Sequence, residues 1–219
     1  MIITAITLQA HDNNRVNVFV DGVYQFSLDV FQLTELGLKV GYECDATKLA
    51  SLKQEGEFSK VYGRALEYCM MRPHSKKEVL DYLYRKTKPS KTRDGSLKPG
   101  ISPFLANRVF DRLVEKKYLD DEKFAAYWVE NRSIVKGISQ RKLVLELKLK
   151  GVDETIIKQA LYDVSRDDSV EIKKIIVKKR RHYPDERKLI AYLARQGFNY
   201  DDIKQSLAET DNSIASRDL

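Results

Sequence analysis

The side chains able to do chemistry in this sequence are, above all, its cations, and they recur along the chain. Lys76, Lys77, Arg85 and Lys86 form a first group. Arg132, Lys136, Arg141, Lys142, Lys148 and Lys150 form a second, and Lys178, Lys179, Arg180, Arg181, Arg187 and Lys188 a third. Ammonium and guanidinium groups at this density hold anions, either nucleic-acid phosphates or the carboxylates of an acidic protein groove. A solvated face accounts for any single lysine, whereas recurrence and clustering together point to an anionic partner. Carboxylates also come in pairs, Asp120/Asp121, Asp167/Asp168 and Asp201/Asp202, which in principle gather a magnesium ion for nuclease work. All three pairs fall where helices are predicted to begin, so capping of free amides explains them without a metal. The sequence has no Gly-rich phosphate loop, no HExxH and no Gly-x-Ser-x-Gly elbow. His11, His74 and His182 lie far apart, and Cys44 and Cys69 lack the neighbours that a zinc site or a disulfide framework needs. Neither catalysis nor a cofactor is expected.

The elements that must position these cations are legible as a repeat. Ser139 to Leu161 reads SQRKLVLELKLKGVDETIIKQAL, and 46 positions later Asp185 to Leu207 reads DERKLIAYLARQGFNYDDIKQSL. Leu143, Leu147, Gly151, Ile157 and Leu161 return as Leu189, Leu193, Gly197, Ile203 and Leu207. A degenerate copy lies upstream, in which Ser75, Val79 and Leu83 align with Ser139, Leu143 and Leu147, and Val109 and Leu113 with Ile157 and Leu161. Within one copy, Leu143, Val144 and Leu147 share a helical face, Gly151 ends that helix and Asp153 caps the next. Two such short helices cannot bury both apolar stripes alone, so each copy needs a further helix and its neighbours. Those further helices are predicted at about 57–71, 121–134 and 167–181. The fold expected is mainly α: three tandem three-helix repeats forming an elongated curved solenoid, preceded by a small β-rich N-terminal module. The boundaries read as 1–56 for that module, 57–119, 120–164 and 165–209 for the repeats, and 210–219 for a frayed tail.

In the opening module, Ile2–Leu8, Arg15–Val20 and Val23–Phe26 read as strands, with Asp21-Gly22 as a two-residue hairpin turn. Leu28–Leu36 reads as a short helix, 39–42 as extended and 46–53 as a separate polar helix. Ser75-Lys76-Lys77-Glu78 is a capping box. Lys88 to Gly100, with two prolines and two glycines among its basic residues, reads as a mobile insertion. Trp128 reads as a packing anchor. The chain has 219 residues, 42% hydrophobic and 32% charged, with a net charge of +7. Residues 1–60 hold five Lys/Arg against eight Asp/Glu, which is −3, so the remainder carries +10 and the positive charge belongs to the repeats. No run approaches the roughly 20 apolar residues of a membrane span, and the N-terminus lacks a signal-peptide pattern, so a cytoplasmic monomer is expected.

With the repeats laid out, the chain resembles the RecX family of regulators of the RecA recombinase. The resemblance rests on Asp120-Asp121-Glu122-Lys123-Phe124-Ala125, Arg132, Gly137, Arg141, Leu147, Lys150-Gly151 and Ile157, with Ala65-Leu66, Arg72, His74-Ser75 and Val109 to Leu119 upstream. It covers about residues 58–208, and the β-rich opening is similar to an N-terminal extension of longer members. Thr87 stands where the first repeat of the family has its helix-ending glycine, and Lys123 where arginine is usual. The resemblance implies a non-enzymatic modulator that binds RecA, especially its filament on single-stranded DNA, and inhibits strand exchange and ATP hydrolysis. The cation groups named above would grip the filament or its DNA. The competing reading is an independent DNA-binding protein of tandem helix-turn-helix type, with a helix such as 139–150 in a major groove.

Overall fold

The computed structural model describes the chain apart from His11, Arg93, Ser165, Arg166 and residues 216–219, and apart from the side chains of 133–136 and 211–215. It separates into two compact units. One comprises Met1–Arg72 and Val79–Tyr118; the other comprises Pro73–Glu78 and the chain from Leu119 onward.

The first unit opens with three antiparallel strands in the order β1 (Ile3–Gln9), β2 (Asp12–Val20) and β3 (Val23–Asp29). Val20 pairs with Val23 across the Asp21-Gly22 turn, where both residues have positive φ (52° and 78°), as a two-residue hairpin loop requires. Alternation places Val16, Val18 and Val20 on one face, buried with Ile3, Phe26 and Leu28. Asp29 then caps α1 (Val30–Glu35), accepting from the amide of Gln32 at 2.8 Å. Residues 39–42, expected to be extended, instead turn at Gly41, whose amide donates to the Ile3 carbonyl at 2.8 Å.

The helices expected at 46–53 and 57–71 are a single helix, α2 (Ala46–Met71), so position 56 lies inside an element. Gly56 serves packing: a Cβ there would lie 2.7 Å from the Ser27 carbonyl oxygen, because α2 crosses β3 at that point. Arg15 ties the crossing together, donating to the Ser27 carbonyl (3.3 Å) and hydroxyl (3.2 Å) and to the Ser59 hydroxyl (3.3 Å), while Ser59 donates to Asp29 (3.1 Å). Gly63, on the same helix, meets nothing within 4 Å. Thermal melts should therefore diverge. Gly63→Ala raises stability by about 0.5–1 kcal/mol through lost unfolded-state entropy, and Gly56→Ala lowers it by at least as much. Equal shifts would contradict the close crossing.

α3 (Lys76–Lys86) and α4 (Pro103–Glu115) complete the first repeat, burying Val79, Leu83, Val109 and Leu113 completely. Between them the basic insertion forms a hairpin of β4 (Ser90–Lys91) and β5 (Leu97–Lys98). Its turn is organised by Asp94, which accepts from the Thr92 and Ser96 hydroxyls and the Ser96 amide. Those bonds, led by Thr92, hold the Asp94 carboxyl down to about 2. The ends of the insertion are pinched together, with the Ile101 amide donating to the Lys86 carbonyl at 3.0 Å. Gly100 is needed there, since a Cβ would lie 2.0 Å from the Thr87 carbonyl oxygen. Ser102 before α4 caps it as Asp153 caps α7, whereas Gly100, which lacks the positive φ of Gly151 and Gly197, serves the close approach to Thr87.

The second unit contains α5 (Asp121–Lys136), α6 (Gln140–Leu149) and α7 (Glu154–Asp163), then α8 (Asp168–Lys179), α9 (Glu186–Arg195) and α10 (Tyr200–Ala215). Leu143, Leu147, Ile157 and Leu161 sit in one core with Phe124 and Val129, and Leu189, Leu193, Ile203 and Leu207 in a second with Ile172 and Ile176. The periodicity of the sequence is therefore the periodicity of burial. α10 continues to Ala215, past the end near Glu209 that the sequence suggests.

Candidate partner-binding surface

The middle helix of each repeat begins with a cationic turn, and that is electrostatically the wrong end. Free amides and the macrodipole make a helix N-terminus positive, so Lys76, Lys77, Arg141, Lys142, Arg187 and Lys188 each sit in a repelling field. Two of them find compensation inside the chain. Lys77 reaches the last turn of α6 and donates to the Leu149 carbonyl at 2.8 Å; Lys142 reaches the last turn of α9 and donates to the Arg195 carbonyl at 2.9 Å. Each ammonium thereby caps the negative end of the corresponding helix in the following repeat.

These contacts belong to a joint built twice. Ser75 donates its hydroxyl to the Lys150 carbonyl (2.8 Å) and accepts from the Glu78 amide (3.1 Å). Ser139 donates its amide to the Gln196 carbonyl (3.1 Å) and accepts from the Lys142 amide (3.1 Å). The second carboxylate of the Asp120/Asp121 and Asp167/Asp168 pairs closes the joint: Asp121 accepts from the Lys76 amide and Asp168 from the Gln140 amide, both at 2.9 Å. The first member, Asp120 or Asp167, caps its own helix. At one equivalent pair of positions the polarity is exchanged. Lys150 donates to the Glu78 carboxylate in the first joint, and Lys142 donates to the Gln196 side chain in the second.

Three more of the expected cations are held within the chain. Arg132 grips Glu146 through two hydrogen bonds, 2.9 and 3.0 Å, and Trp128 donates its indole N–H to the same carboxylate at 3.1 Å. Lys150 lies 4.3 Å from the Trp128 ring centre, so this tryptophan anchors packing. Lys148 pairs with Glu154, whose carboxyl is held below its usual value by hydrogen bonds from Lys148 and Lys158. Arg132, Lys150, Lys77 and Lys142 therefore serve the fold, a division of labour that composition and spacing do not reveal.

Most of the remaining described cations are exposed. Arg141 at the start of α6, and Arg187 and Lys188 at the start of α9, point to solvent at equivalent places, and Lys76 is exposed at the start of α3. Lys178 and Arg181 are exposed at the end of α8, with Lys179 and Arg180 half-buried beside them. Arg85 and Lys86 are exposed on α3 and line a cleft in the first unit with Arg64, Lys88 and Lys98, none of which the sequence reading singled out. The side chain of Lys136 lies outside the described residues. Among the described residues no three His, Cys, Asp or Glu side chains gather where a metal ion could be held, and no helix is long and apolar enough to cross a membrane.

The fold and the surface define a tandem three-helix-repeat protein that presents exposed cations. The model of the regulatory protein RecX N-terminal domain matches residues 1–45, and that of the second three-helix domain of RecX matches residues 120–161. Regulatory protein RecX of Bacillus licheniformis is 33% identical over 216 residues, covering 95% of this chain and 77% of the relative. That of Bacillus subtilis is 32% identical over 212 residues, covering 94% and 75%. A crystal structure of regulatory protein RecX shares the fold with a TM-score of 0.65 at 22% identity, over 93% of this chain and 98% of that one. RecX from Lactobacillus salivarius does so with a TM-score of 0.51 at 23% identity, over 70% and 96%. The chain belongs to the RecX family of regulatory proteins. The likeness extends through the β-rich opening, beyond the 58–208 span in which the sequence motifs lie.

Proposed function

We propose that this protein binds the RecA recombinase, above all the filament RecA forms on single-stranded DNA, and thereby inhibits strand exchange and ATP hydrolysis in DNA repair and recombination. It acts in the cytoplasm as a monomer and without chemistry of its own. Membership of the regulatory family supports this reading. The observation that carries it is the exposure of Arg141, Arg187 and Lys188 at equivalent places on the first turns of α6 and α9. A cation on a first turn opposes the helix dipole, and an acidic protein groove or a phosphate would stabilise these three where they stand.

The tandem helix-turn-helix alternative is less well supported. A recognition helix needs its N-terminal residues free to reach base edges. On α6, Ser139 is fully buried, the Gln140 amide is bonded to Asp168 and Lys142 is engaged with the end of α9. Titrating the protein into RecA that is hydrolysing ATP on single-stranded DNA tests the proposal. The hydrolysis rate should fall as protein is added, and an unchanged rate at saturating protein would overturn it.

A further inference from the structure

Five cations converge in the first unit on a cleft of about 420 Å³: Arg64 from α2, Arg85 and Lys86 from α3, and Lys88 and Lys98 from the two arms of the β4–β5 hairpin. Among the described residues, no carboxylate lines it. The hairpin's own acid, Asp94, is bound to its turn partners Thr92 and Ser96. Charges of one sign brought together in this way repel one another. The strain extends to Lys60, whose ammonium is disfavoured first by burial and then by Arg64, Lys98 and Arg15, with Glu57 offsetting part of it. A surface that only needed solubility would spread such charges apart. Here chain geometry enforces the convergence, since Gly100 pinches the hairpin against the end of α3 and brings Lys88 and Lys98 to the same opening.

Aromatic rings accompany the cations. Tyr82 lines the cleft, stacked on Tyr68 with ring centres 4.5 Å apart and with the Lys86 ammonium 5.0 Å from its own; outside the lining, Tyr84, 61% exposed, adjoins it through Lys88, 5.1 Å from its ring centre. A basic concavity beside an exposed aromatic ring is the combination that takes single-stranded nucleic acid: phosphates enter the groove and a base lies on the ring. A duplex is a stiff rod whose phosphates run along its outside, and it cannot fold them into a concavity of this size.

We propose that this cleft is a binding site for the phosphodiester backbone of single-stranded nucleic acid, built by the hairpin insertion and distinct from the first-turn cations of α6 and α9. It is independent of the RecA reading and is tested without RecA. In fluorescence anisotropy, the full chain is titrated into a labelled thymidine oligonucleotide of about 20 nucleotides across a salt series. Arg64→Ala/Lys98→Ala is compared with Lys39→Ala/Lys116→Ala, which removes the same charge from exposed positions elsewhere in this unit. The cleft variant should lose about tenfold or more in affinity, and its salt slope should fall by about 1.4, or 0.7 for each phosphate contact removed. The control should change neither, Lys98→Arg should retain binding, and circular-dichroism melts should show the cleft variant as stable as the parent. Equal losses in both double variants, or an unchanged salt slope, would overturn the site. Inorganic phosphate binding at the cleft without strand binding, or a duplex binding as tightly as the strand, would overturn the assignment to a single strand.

Discussion

Replacing Arg141, Arg187 and Lys188 together by glutamate should weaken inhibition of RecA's DNA-dependent ATPase at least tenfold, about 1.4 kcal/mol of binding, while leaving the protein at least as stable as before. The two halves of this expectation come from the same physics. At the first turn of a helix a cation opposes the macrodipole and an anion complements it, by about 0.3–1 kcal/mol per exposed site. Reversal should therefore raise the melting temperature slightly even as it places like charge against an acidic or phosphate partner. Lys142→Glu should behave in the opposite way, because its neighbours are the Arg195 carbonyl and the Gln196 side-chain oxygen, both acceptors. That variant loses stability first, and any loss of inhibition follows from the damaged joint. Retained inhibition by the triple variant would remove these cations from the mechanism.

Gly197→Ala should destabilise the second unit by about 2–3 kcal/mol. Gly197 has φ of +91°, and a left-handed alanine costs about 1–2 kcal/mol. The added methyl would also lie 2.5 Å from the Ser139 hydroxyl oxygen and 3.0 Å from Lys142 Cβ. Ser139 is fully buried and its hydroxyl caps α6, so it can yield only by giving up a cap worth about 1 kcal/mol. Trp128 is the only tryptophan of the chain and sits against the core of this unit, so its fluorescence reports the unit's unfolding in urea. With a slope of about 1–3 kcal/mol/M, the midpoint should fall by about 1 M or more. A midpoint unmoved by the substitution would mean that the joint is not packed as described.

The repeat was legible because burial imposes it residue by residue. Leu143 and Leu147, Leu189 and Leu193, and Val79 and Leu83 occupy equivalent buried places, and a helix can fill such places only at this spacing. The hairpin was legible in Asp21-Gly22 for a similarly local reason. The continuity of α2 through 54–56 was not legible, because the glycine there is demanded by the approach of β3, whose Ser27 carbonyl no local pattern reveals. The site was legible as a population of cations and opaque in its division of labour. Lys142 and Arg141 are adjacent and chemically alike, yet one caps the next repeat and the other faces water. That difference is set by where the following repeat docks, which no local pattern carries. A trace of it stands in the sequence: the second aspartate of each pair at the start of a repeat answers the first amide of the middle helix before it, Asp121 for Lys76 and Asp168 for Gln140.

The central claim is that these repeats present their charge to a protein-coated strand, and equilibrium affinity measured in parallel on naked and RecA-coated single-stranded DNA tests it most directly. At about 0.15 M salt the coated strand should bind at least tenfold more tightly, with an advantage that persists as salt screens naked-strand binding. Equal or tighter binding to the naked strand across the series would contradict the account.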